Sequence, residues 1–110
     1  AITDREGGLT RGISVTDFSY KLAFFLEAGT EIDIVLQGGQ VVIMAECKNY
    51  APEYLHKITE KMVRAFAKKA KRLWKERFSE KSLRLAFFSK NGFEEKLKAV
   101  LKTLEIYSGG

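Results

Sequence analysis

An α/β fold, with a mixed β-sheet flanked by helices in the order βββ-α-β-α-β, is predicted by three observations. Three strand-like segments come first, at 18–26, 31–36 and 41–48. A long segment of helical period follows over 53–78. A short apolar run, a second helical segment and a last strand then complete the chain. A meander of strands followed by crossover connections gives a sheet with both antiparallel and parallel neighbours.

Residues 1–12 carry Gly7, Gly8 and Gly12 among polar residues with no sustained period, which reads as a loose arm before one domain over 13–110. In 18–26, Phe18, Tyr20, Leu22, Phe24 and Leu26 fall at every second position, the strand period, and the aromatic content favours a strand. Gln37-Gly38-Gly39-Gln40 reads as a hairpin turn, because paired glycines supply positive φ readily. Pro52 suits the first turn of a helix. Beyond it Leu55, Ile58, Met62, Phe66, Ala70 and Leu73 recur at three- and four-residue steps, with Trp74 on the same apolar stripe. Residues 79–81 break the helix, 83–88 read as a strand, 89–92 as a turn, 93–101 as a helix and 104–107 as a final strand.

Composition narrows the function classes. At 110 residues and 45% hydrophobic, the chain can bury one core and is not globally disordered. Its apolar runs are too short to cross a bilayer, and no signal peptide is visible. One cysteine and one histidine exclude a disulfide scaffold and argue against a zinc site, so a reducing, cytoplasmic setting is expected. A net charge of +5 suits a polyanionic partner. Abundant Lys and Glu with few Asn and Gln lean towards a thermophile. The missing initiator Met reads as a trimmed chain or a domain of a longer protein.

The charges of the hairpin carry the chemistry. Residues two apart on a strand share a face. Glu31 and Asp33 therefore point away from Ile32, Ile34 and Leu36, while Glu46 and Lys48 share the face of Met44 and oppose Ile43, Ala45 and Cys47. A two-residue loop at Gly38-Gly39 would pair Asp33 with Met44 and Glu46 with Glu31, leaving Glu46 diagonal to Asp33. Carboxylates gathered this closely repel, and a divalent cation is the usual compensation. Hard oxygen ligands suit Mg²⁺ or Mn²⁺, which polarises a phosphoryl oxygen and lowers the pKa of bound water. Lys48 on the same face would orient or deprotonate the attacking water and stabilise phosphate charge. Cys47 reads as a small buried hydrophobe.

At these residues the sequence resembles the PD-(D/E)XK nuclease superfamily. The carriers are Asp33 in Glu31-Ile32-Asp33, and Glu46-Cys47-Lys48 on the next strand, separated by the Gly-Gly hairpin. The resemblance implies a restriction-endonuclease-like fold and a DNA endonuclease. It further implies Mg²⁺ or Mn²⁺ on Asp33, Glu46 and the Cys47 backbone carbonyl, with Glu31 as a further candidate ligand and Lys48 as the catalytic lysine. Holliday-junction resolvases and restriction-type enzymes use this core. Residues 85–102 also look like the nuclease-like C-terminal domain of certain archaeal ATPases, which would make an ATPase domain a fusion or association partner. Three departures stand out. Ile32 replaces the family's proline, the glutamine common on the following helix is absent, and no clear helix supplies an acid before the first strand, for which Asp4, Glu6, Asp17 or Glu27 could substitute.

A stripe of Lys61, Arg64, Lys68, Lys71 and Lys75 on the long helix would track DNA phosphates without reading sequence. The plainer reading is a solvated face. His56 reads as a surface or capping residue, Trp74 as core, and Ser89-Lys90-Asn91 as a turn. Paired cuts need paired sites, which makes a homodimer an expectation. The alternative to an endonuclease is a non-catalytic nuclease-fold module for DNA binding or assembly.

Overall fold

The computed structural model describes the backbone of residues 19–25 and, in full, residues 31–109. The proposed arm at 1–12 and the acids Asp4, Glu6, Asp17 and Glu27 lie outside the described residues. Five strands form one sheet in sequential order: β1 (Ser19–Phe25), β2 (Glu31–Gln37), β3 (Val41–Lys48), β4 (Ser82–Ser89) and β5 (Ile106–Gly109). β1–β2 and β2–β3 are antiparallel, whereas β3–β4 and β4–β5 are parallel. The two crossovers carry α1 (Glu60–Arg77) and α2 (Glu95–Thr103). The predicted order βββ-α-β-α-β and the α/β class are thus observed.

β3 is buried from Val41 through Glu46, as befits a central strand covered on both faces. Val42 and Met44 join a core with Val63, Phe66, Ala70 and Leu73 of α1 and Leu97 and Leu101 of α2. Ile43, Ala45 and Ala86 form a second cluster on the opposite face with Ile34, Leu36, Phe88 and Tyr107. Among the described residues both helices therefore cover the same face. Two successive crossovers of one hand, stepping in one direction from β3 to β5, place their helices on one side.

The long helical segment is split. Pro52–Lys57 is a 3₁₀ helix, Ile58 is extended and buried, and α1 starts only after Thr59, whose hydroxyl accepts from the Met62 N–H at 3.2 Å. The periodic reading ran through this point because Leu55 and Ile58 keep the apolar spacing, while a single N-cap threonine resets the backbone. α2 and β5 each lie about two residues later than predicted, at the scale on which helix ends are ambiguous. In the predicted turn Gly92 adopts φ 88° and donates to Ser89 C=O at 3.1 Å.

One lysine ties the far end of the sheet together. Lys81 Nζ donates to the carbonyls of Gly38 and Gly39 at 2.6 and 3.0 Å, while its own carbonyl accepts from the Trp74 indole at 2.7 Å. The hairpin is thereby fastened to the loop between α1 and β4. Lys81→Met should lower stability by about 1–2 kcal/mol, the range for a charge-assisted bond that is partly solvated. Urea denaturation checks this, and an unchanged midpoint would contradict it.

Candidate active site

The hairpin closes one residue later than the paired glycines suggest. Gly38 N–H donates to Val41 C=O at 2.8 Å, and Gln37 pairs with Val42, Val35 with Met44 and Ile34 with Ala45. Among the described glycines only Gly92 has positive φ, so neither Gly38 nor Gly39 uses the conformation that motivated placing the loop at both. The consequence is a register in which Asp33, not Glu31, comes level with Glu46. Glu31 is exposed, across from Phe25 on β1. Its pairing with Glu46 is thereby corrected.

Asp33 sits where the two strands part. The β2–β3 ladder runs only to Ile34↔Ala45, and the next donor on β3, the Cys47 N–H, is taken by Asp33 Oδ2 at 3.1 Å. A carboxylate thus replaces a backbone carbonyl at the end of the ladder. The alternation breaks at the same place. Ile32 and Val35 pack in the helix-side core, while Ile34 and Leu36 pack on the other face, so Ile32 does not share the side of Ile34. Cys47, predicted as buried, is exposed, because the β2–β3 pairing has ended before it. Its thiol is pushed up by burial of the sulfur's immediate surroundings and by the nearby charges of Asp33 and Glu46.

Glu46 is the centre of the arrangement. It is 7% exposed, and Glu46 and Ser89 are the buried polar side chains among the described residues. Its carboxyl is raised from 4.5 to about 7, first by burial and then by hydrogen bonding to and repulsion from Asp33. Two ammonium groups oppose that shift. Lys48 Nζ lies 3.9 Å from Glu46 Oε2, and Lys69 Nζ of α1 lies 3.6 Å from the same oxygen. Asp33 and Lys48 thus each meet Glu46, in a register one residue away from the one the spacing suggested.

Lys69 was missed. It belongs to the helix cations but not to the stripe chosen by three- and four-residue steps. At ~100° per residue it projects roughly 120° round α1 from the stripe's centre. The signal was its half-buried flank position beside Phe66 and Leu73, legible only once the core face of α1 is known. The stripe residues Lys61, Arg64, Lys68, Lys71 and Lys75 are all exposed and leave the site's flank to Lys69. Arg64 is bound within the helix to Glu60 at 2.7 Å. Ser89 also gains meaning. It is level with Lys48 across the β3–β4 ladder, fully buried, with its hydroxyl unpartnered.

The donor set fits a hard divalent cation. Asp33 and Glu46 offer two adjacent carboxylates. Lys48 C=O bonds the Lys90 N–H on the β4 side, so the Cys47 carbonyl, pointing the opposite way along an alternating strand, faces the β2 side where Asp33 lies. No group of three or more His, Cys, Asp or Glu residues gathers among the described residues. Two carboxylates with water and phosphate completing the shell is the habit of Mg²⁺, which rarely takes an all-protein cage. The site stands at the C-terminal end of β3, between an antiparallel neighbour and a parallel one. No protein-family model, curated protein or solved structure matches this chain. No helix among the described residues is long and apolar enough to cross a membrane.

Proposed function

We propose that this chain is a metal-dependent deoxyribonuclease domain of the PD-(D/E)XK type, with a restriction-endonuclease-like fold. The observation that supports the reading is the meeting of Asp33, Glu46 and Lys48 at the parting of β2 and β3, with Glu46 buried and Asp33 against the Cys47 N–H. Asp33, Glu46 and the Cys47 carbonyl would hold Mg²⁺ or Mn²⁺, which supplies Lewis-acid activation of the phosphodiester and of water. Lys48, its ammonium 3.9 Å from Glu46, would orient a water for attack and offset charge on the phosphate. Glu46, kept from solvent, holds its ligand oxygen in place. The exposed stripe on α1 would bind phosphates at a distance from the reacting bond, adding affinity without sequence preference. DNA is the partner this reading assigns, and a homodimer or an attached ATPase domain belongs to it as an arrangement that would pair or drive cuts.

A non-catalytic DNA-binding or assembly module is the second reading. It is favoured by one observation: two lysines already neutralise Glu46, so the site is coherent without metal. Supercoiled, single-stranded and branched DNA incubated with Mg²⁺ or Mn²⁺ separates the two. Cleavage abolished by chelator and by Lys48→Met supports the nuclease. Salt-sensitive binding with no cut product and no metal uptake supports the module.

A further inference from the structure

Lys69 is the one residue of the site that comes from a helix, and it meets Glu46 on the same oxygen as Lys48. Two ammonium groups within 3.9 and 3.6 Å of one carboxylate oxygen lie at most 7.5 Å apart. Together with the two carboxylates the four side chains carry no net charge. A dication held by Glu46 at ~2.1 Å would stand within roughly 6 Å of both ammonium groups, where like charges repel strongly even at an effective dielectric of 20. The set would then carry two surplus positive charges.

Something must leave Glu46, and the two lysines are not equivalent. Lys48 is anchored two residues along the same strand. The two side chains are about equally exposed, 29% and 31%, so what separates them is origin: Lys69 reaches in from α1, outside the strand that carries Glu46, and can turn away without disturbing the sheet. We infer that Lys69 is a phosphate-positioning residue that holds Glu46 in the metal-free protein and is released by the metal to take a phosphate of the bound nucleic acid. The surplus charge then falls on an anionic strand, and metal and substrate binding reinforce one another through one side chain. The inference rests on the metal-site reading above and adds a residue that the sequence pattern did not pick out.

The test compares wild type, Lys69→Met and Lys69→Arg. Mn²⁺ affinity is read by calorimetry without nucleic acid, and binding of labelled DNA by anisotropy in Ca²⁺, used as a dication that loads the site. Thermal unfolding of each variant verifies that it is folded. Lys69→Met should bind Mn²⁺ on the order of tenfold more tightly, because the competing ammonium is gone. It should also lose about tenfold of the DNA affinity that Ca²⁺ adds, with a salt slope shallower by about 1. Lys69→Arg should stay near wild type in both. Unchanged or weaker Mn²⁺ binding in Lys69→Met, with wild type still binding Mn²⁺, overturns the role of Lys69 alone. Failure of wild type to bind Mn²⁺ overturns the metal site and this inference with it.

Discussion

Exchanging Asp33 for asparagine should lower metal-dependent cleavage by roughly 10²- to 10⁴-fold, the scale of several kcal/mol of charge stabilisation at tenfold per 1.36 kcal/mol. The fold should survive. Asparagine keeps an oxygen that can accept from the Cys47 N–H, the bond that closes the β2–β3 ladder at 3.1 Å. Only the negative charge is removed. The change also relieves Glu46, since repulsion from Asp33 is one of the causes that raise its carboxyl. Asp33→Ala takes away both charge and acceptor, leaving the Cys47 N–H to water, so it should lose about 1 kcal/mol of stability more than Asp33→Asn. Single-turnover cleavage and urea titration of the two variants separate the roles. Equal stability with unequal activity would show the hydrogen bond to be incidental. Full activity in Asp33→Asn would remove Asp33 from the chemistry.

That double role also explains which parts of the molecule were legible beforehand. Strand identities came through well, because period-two and apolar runs survive without tertiary information: Val41–Lys48 is observed with its predicted bounds. The register did not. It was inferred from glycine's freedom at positive φ, yet the hairpin adopts none, and the loop moved by one residue. That shift brought Asp33 level with Glu46 and took Glu31 away, so the site tightened to two carboxylates. The break at Asp33 is likewise invisible in the pattern, since a carboxylate ending a ladder looks like any polar residue on a strand. Cys47 follows from the same break: its apolar neighbours suggested burial, but pairing had already stopped. Lys69 stayed hidden because helical spacing groups cations that share a stripe. A lone cation on the flank of the core face counts only when a buried acid lies beneath it.

Glu46→Gln should stabilise the metal-free protein above neutral pH and leave it nearly unchanged in acid. The sign follows from the proton. Folding raises the Glu46 carboxyl from 4.5 to about 7, so between those values the unfolded chain has released a proton that the folded chain still holds. Stability contributed by the neutral form is complete below about 4.5, falls as pH rises, and is gone above about 7. At 1.36 kcal/mol per unit the span amounts to about 3 kcal/mol as an upper figure, and glutamine, which never ionises, escapes that loss. The ion pairs to Lys48 and Lys69 vanish with the charge, but both lysines are partly solvated, so their loss trims the gain without reversing it. The melting temperature of Glu46→Gln minus that of wild type should therefore climb from pH 4.5 to pH 7 and then level. Adding Mn²⁺ at pH 8 should invert the comparison. A dication binding the folded wild type stabilises it by mass action, while the variant has lost a charged ligand. A difference flat in pH would mean that Glu46 is ionised throughout. A difference that climbs but ignores Mn²⁺ would leave a buried, protonatable carboxyl with no metal to hold, and would favour the non-catalytic module over the nuclease.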